Sequence, residues 1–190
     1  MEIIRYNTSF REDWNHFVRS SRNGTFLFER EYMEYHADRF TDHSLLFYKQ
    51  GKIKGVLPAN EQGNRLFSHQ GLTYGGLVMG PDTLSVDVEM IFAELIPYLK
   101  EQNIDSLVYK MIPAIYWKQP AAEDAYFLFR MHAQKIACAL SSTINLHSLL
   151  PYNRERKRAV RRATDAGLFI LETTDMNLFW PVMEENMERR

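Results

Sequence analysis

The sequence predicts a mixed α/β fold, with a central, mainly antiparallel sheet flanked by helices over residues 1–150. Three observations carry that prediction. The apolar period switches repeatedly between helical and strand-like values along the chain, a hairpin signal lies at Gln50-Gly51, and a β-rich middle is set between amphipathic helical stretches.

The elements follow in order. Ile3 to Tyr6 reads as a first strand. Ser9 with Glu12 three residues later has the form of a capping box, and Trp14, Phe17 and Val18 supply the i, i+3, i+4 stripe of a helix that Asn23-Gly24 ends. A second helix is expected over 29–39, with Tyr32, Met33, Tyr35 and His36 as its apolar face. Residues 44–48 and 52–59 form the hairpin around Gln50-Gly51, and 65–69 a further strand. From Ser85 the period is helical, with Val88, Ile91, Phe92, Leu95 and Leu99 on one face and Pro97 inside it as a kink or stop. Residues 105–112 read as a strand, 121–134 as a helix and 136–146 as a strand. A basic helix over 153–167, a strand over 168–172 and a helix capped by Asp175 complete the chain. The apolar residues of that last helix, Leu178, Val182 and Met183 among them, have no partner layer in the sequence. Residues 151–190 are therefore expected to open a second domain that continues past residue 190.

Composition narrows the function classes. With 23 basic and 24 acidic residues the net charge is −1, so no global field favours nucleic acid or a membrane surface. No segment approaches the ~20 apolar residues of a membrane span, and the N-terminus has no signal-length apolar run. The single cysteine, Cys138, excludes an intrachain disulfide and is expected to be a buried thiol in an apolar run, which fits a cytoplasmic protein. The six histidines form no Ser-His-Asp or Cys-His framework. The stretch from His36 to His43 lacks the i, i+4 pair that zinc sites use on a helix, so no metal is expected and no catalytic residue is assigned.

Two features carry candidate binding chemistry. Gly71, Gly75 and Gly76 permit close backbone approach, and Tyr74 between them offers a hydroxyl at the edge of a concave surface, although the segment matches neither the dinucleotide nor the P-loop pattern. Lys110, on the strand over 105–112, either faces a cleft or guards a sheet edge. The second feature is the basic helix. Arg154, Arg156, Lys157, Arg158, Arg161 and Arg162 stand against Glu155 alone, and this one-signed face suits either an anion or solvent.

The order of Asn23-Gly24-Thr25-Phe26-Leu27-Phe28, Tyr74-Gly75-Gly76, Ile112-Pro113-Ala114-Ile115-Tyr116 and Arg158-Ala159-Val160-Arg161-Arg162-Ala163 closing at Gly167 resembles bacterial tandem-domain acyltransferases of the GNAT superfamily. The Fem-type aminoacyl transferases of peptidoglycan synthesis belong to that group. The resemblance spans nearly the whole chain and is closest to the N-terminal half. It implies a GNAT-like fold, direct acyl transfer, and an acyl-CoA donor bound mainly by the second domain beyond residue 190. It also implies an acceptor-binding wall with Tyr74, Gly75, Gly76, Lys110 and Tyr116, and anion binding by Arg154, Arg158, Arg161 and Arg162. The Arg/Gln-x-x-Gly-x-Gly/Ala pyrophosphate loop of the superfamily is missing, so the fragment alone is expected to be inactive. Three functions stay open: acyl transfer from acyl-CoA to an amine or hydroxyl, an aminoacyl-tRNA-dependent transfer to a cell-wall precursor, and a non-catalytic binding domain.

Overall fold

The computed structural model describes residues 1–189, apart from the side chain of His36. The expected place of His36 on a helix face and Arg190 therefore lie outside the described residues. The fold is mixed α+β, with antiparallel strands flanked by helices, as the sequence predicts. It divides into two compact units, Met1–Ile136 and Ala137–Arg190, where the sequence pattern sets a boundary at 150/151.

In the first unit, β1 (Glu2–Arg5), β3 (Leu45–Lys49), β4 (Lys52–Leu57) and β7 (Val78–Met79) form an antiparallel sheet in the order β1-β3-β4-β7. Leu45, Leu46 and Phe47 are consecutive and all buried, because this sheet is covered on both faces. Leu45 and Phe47 point to one core with Val88, Ile91, Phe92 and Leu95, while Leu46 points to another with Trp14, Phe17 and Val18. Those partners lie on α3 (Ser85–Glu101) and α1 (Arg11–Ser20), so the helical stripes read from the sequence are the two layers over the sheet. Each fully buried side chain of this kind contributes about 1.5–3 kcal/mol. Gly55 lets α3 lie close, since a β-carbon there would fall 2.9 Å from Leu77 Cδ1 and 3.1 Å from Ile91 Cδ1.

A second sheet, in the order β2-β5-β6-β8, contains β2 (Thr41–Asp42), β5 (Asn60–Gln62), β6 (Arg65–Phe67) and β8 (Ser106–Val108). Its β6–β8 pairing is parallel, with β7 and α3 in the crossover, and the other pairs are antiparallel. The segment from Ser68 to Leu77 leaves β6 and feeds β7, passing from one sheet to the other as an irregular loop.

Several elements differ from the sequence pattern. α1 has no Ser9 capping box; instead Asn7 Oδ1 accepts from Ser9 N and caps a 3-10 turn at Thr8–Phe10. The second helix is only α2 (Arg30–Met33) followed by a 3-10 turn, and Tyr32 and Tyr35 are exposed. α3 runs through Pro97 to Glu101 without stopping. The helix expected over 121–134 is α4 (Glu123–Arg130).

The second unit contains α5 (Arg154–Asp165) and α6 (Met176–Glu188), capped by Asn153 and Asp175. The strands expected over 136–146 and 168–172 are not formed. A strand needs a ladder partner, and none pairs with them among the described residues, so Leu140 and Ile170 are fully exposed. Cys138 is exposed for the same reason, which corrects the expectation of a buried thiol. Leu178 and Val182 are exposed as well.

Candidate functional site

The five residues expected to form an acceptor wall do converge, but as a packed seam. Tyr74 is buried, stacked on Tyr116 with centroids 4.8 Å apart and set edge-on to Phe28. Its hydroxyl donates to Thr25 Oγ1 at 3.1 Å, and burial raises its pKa. Tyr74 thus lines neither of the two cavities beside the loop, against the expectation that it stands at the edge of a concave surface. Gly75 is required by crowding: a β-carbon there would fall 1.8 Å from the carbonyl oxygen of Ser68. Gly76 has φ +94, close under the Tyr109 hydroxyl. Tyr116 is the half-exposed outer face of the seam.

Lys110 is neither at a cleft nor a sheet-edge guard. Its Nζ donates to the carbonyl oxygens of His69 at 3.2 Å, Gln70 at 3.3 Å and Leu72 at 2.8 Å. Three carbonyls match the three donors of an ammonium group. Burial lowers its pKa, yet the three acceptors require the protonated form.

One of these two cavities has a volume of about 360 Å³, and Tyr6, Arg30, Glu34, Phe40, Asp42 and His69 are among its walls. Arg30 is 1% exposed. Its guanidinium lies 3.6 Å from the centroid of the Tyr6 ring and donates to Glu34 Oε1, Ser44 Oγ and Asp42 Oδ2. Arg11 pairs with the other oxygen of Glu34. A buried charge so fully paired is a fixed dipolar wall, because losing one partner would leave an uncompensated ion.

His69 differs from its neighbours. It is 4% exposed, and its Nδ1 has no hydrogen-bond partner among the described residues. Its backbone sits at φ +53, a left-handed conformation rare outside glycine and asparagine. Burial first, then the positive charges of Arg30 and Lys110, hold its pKa down to about 4, opposed by Asp42. The imidazole is therefore neutral at physiological pH. Phe40 packs on it edge-on at 5.3 Å, and Gly71 makes room for the Phe40 ring, which a β-carbon would approach to 2.6 Å. Sequence reasoning missed both Arg30 and His69. The signal for His69 was its place between a strand and a glycine-rich loop; nothing local marked Arg30.

Phe40 also borders a second cavity of about 480 Å³, with Asn60, Glu61, Gln62 and Gln70. Asn60 and Gln70 bond each other twice, through Asn60 Nδ2 to Gln70 Oε1 and Gln70 N to Asn60 Oδ1, both at 2.8 Å. Glu61 contacts His43 Nδ1, and His43 Nε2 contacts the Tyr98 hydroxyl at 2.8 Å. Among the described residues no group of three or more His, Cys, Asp or Glu side chains is placed to hold a metal ion. No helix is long and apolar enough to cross a membrane among them.

In the second unit, Arg154, Arg158, Arg161 and Arg162 lie on exposed α5. The ion pair formed there is Arg161 with Asp165 at 3.9 Å, both highly exposed.

No protein-family model and no curated protein matches the sequence. Among solved structures, the chain is similar to FemX, with a TM-score of 0.44 and 13% identity over 69% of this chain; it spans 31% of FemX. It is similar to the aminoglycoside 6'-N-acetyltransferase AAC(6')-IG from Acinetobacter haemolyticus, with a TM-score of 0.42 and 16% identity over 76% of this chain and 100% of that one. A transcriptional regulator from Bacillus halodurans C-125 gives 0.41 and 11%, over 75% and 97%. At these values the chemistry of the site rests on its own residues.

Proposed function

We propose that the chain is part of an acyltransferase that moves an acyl group from acyl-CoA to an amine or hydroxyl acceptor, with His69 as the proton acceptor. The observation that carries this is a neutral, buried imidazole in the wall of a cavity, with one ring nitrogen lacking any partner among the described residues. As the acceptor's nitrogen or oxygen bonds to the thioester carbonyl carbon, its proton becomes acidic. A neutral imidazole takes it, and the C–S bond breaks as the thiolate of coenzyme A receives a proton in turn. A pKa near 4 makes His69 a weak base, so the transfer accompanies bond formation and does not precede it. The donor falls to a second domain of the same polypeptide, in keeping with the missing pyrophosphate loop, and the compartment in this reading is the cytoplasm of a bacterium.

The exposed basic helix α5 favours a second reading, in which the donor is an aminoacyl-tRNA and the acceptor a cell-wall precursor. The experiment is thiol release from acetyl-CoA by the full-length protein with a panel of amines and alcohols, beside tRNA binding at 50 and 200 mM salt. Acceptor-dependent thiol release that His69→Gln abolishes supports the first reading. tRNA binding that falls steeply with salt, without thiol release, supports the second. Neither result leaves a non-catalytic binding domain.

A further inference from the structure

We propose that Lys110 is the positioning residue for His69, its ammonium holding the loop that presents the imidazole to the cavity. The proposal rests on the reading of His69 as proton acceptor. The loop from Ser68 to Gly75 closes on Lys110 at every level. At its start, the backbone amide of Lys110 donates to Ser68 Oγ at 2.7 Å. At its end, the amide of Gly75 donates to the carbonyl oxygen of Lys110 at 3.3 Å. In its middle, the ammonium gathers the carbonyls of His69, Gln70 and Leu72.

The physical need for such a clamp is at His69. A non-glycine residue at φ +53 holds its conformation only where the surroundings over-determine it. The carbonyl of His69 is itself one of the three that the ammonium binds, so the clamp acts on the strained residue directly. Without the charge, three partly desolvated carbonyls converge with no donor between them, and the loop relaxes toward an ordinary backbone conformation. The ring of His69 then leaves its contact with Phe40 and its place in the cavity wall. The same charge also disfavours protonation of the imidazole.

The test replaces the ammonium by a methyl thioether in Lys110→Met and follows the His69 imidazole by NMR through a pH titration. Leu95→Ala, a core change on α3, serves as a control of reduced stability. The expected result is a His69 midpoint that moves up from about 4 by at least one unit in Lys110→Met, with altered resonances over residues 69–72, and no movement in the control. In acyl transfer, kcat falls at least tenfold with KM changed less than threefold. If Lys110→Met does not fold, Lys110→Gln, which keeps one donor group, replaces it with the same expectations. A His69 titration and loop resonances unchanged in the folded variant overturn the proposal. If instead His69→Gln keeps full acyl transfer, the proton-acceptor role falls, whereas the NMR result still decides whether Lys110 sets the conformation of His69.

Discussion

The Tyr109 hydroxyl donates to Asp124 Oδ2 at 2.7 Å and accepts from the amide of Leu77 at 2.6 Å, joining α4, the irregular segment after β8 and the entry to β7 in one buried node. Burial, reinforced by Asp124, raises the Tyr109 pKa well above its ordinary value, and burial raises that of Asp124. Tyr109→Phe removes a donor and an acceptor together and leaves the Leu77 amide and Asp124 Oδ2 unpaired, while Asp124 Oδ1 keeps its bond from the Ala125 amide. The expected loss is about 2–5 kcal/mol in urea unfolding at pH 7. The sign with pH follows from the direction of the Asp124 shift. Its proton is bound more tightly in the folded state, so its contribution is present at low pH and is lost as pH rises from the ordinary carboxyl range through the raised value. Replacing Asp124 by Asn should therefore cost less at pH 7 than Tyr109→Phe.

His69 gives the opposite slope. Its folded pKa, about 4, lies below the ordinary 6.5, so the unfolded chain binds more protons between those values. Its contribution is complete above about pH 6.5 and is lost as pH falls toward 4, by about 3 kcal/mol at most. The measurement is urea unfolding of the native chain and of His69→Gln from pH 4.5 to 7.5. Their stability difference should shift in favour of the native chain as pH rises; a constant difference would refute the burial argument.

Glycines separate crowding from conformation. Gly75→Ala places a methyl against the Ser68 carbonyl at 1.8 Å, where backbone must move. Gly63 has φ +61 with open space around it, so Gly63→Ala costs only the left-handed strain, about 1 kcal/mol. Thermal melts should rank Gly75→Ala as the more damaging by several kcal/mol, through overpacking. Equal melting temperatures would show that the loop is not tightly seated on Ser68.

What was legible in the sequence was what local period encodes. The stripe Val88, Ile91, Phe92, Leu95 and Leu99 is buried as a set, and the hairpin turns at Gln50 and Gly51, both at positive φ. The short strands β2, β5 and β7 were not legible, because two or three residues carry no period and form only where a neighbour supplies a ladder. Asn23 illustrates this: its carboxamide bonds Leu77 O and Met79 N in place of a further strand, across more than fifty positions of sequence. The site failed in the same way. Lys110 stood out in the sequence, but its partners lie about forty residues back, and Arg30 gathers Tyr6 and Asp42 from other parts of the chain besides the nearby Glu34. Conversely, the apolar runs over 136–146 and 168–172 have strand composition without strand structure.

The basic helix yields the last prediction. Six basic residues within nine positions repel one another, and four of them, Arg154, Arg156, Lys157 and Arg158, fall in the first turn and a half, where the helix dipole also disfavours positive charge. The Asn153 cap, which accepts from the Arg156 amide, stabilises that end but does not relieve the charge. The ion pair between Arg161 and Asp165, at 3.9 Å and highly exposed, contributes about 0–1 kcal/mol at best. Changing Arg158, Arg161 or Arg162 singly to alanine should therefore leave the helical circular dichroism of the protein intact or slightly raised. Binding to coenzyme A or tRNA should weaken, by about threefold to tenfold per residue at low salt, and the salt slope for tRNA should fall by about one for each phosphate that the variant no longer neutralises. A drop in helicity without any change in either affinity would mean that these arginines serve the fold and not an anion.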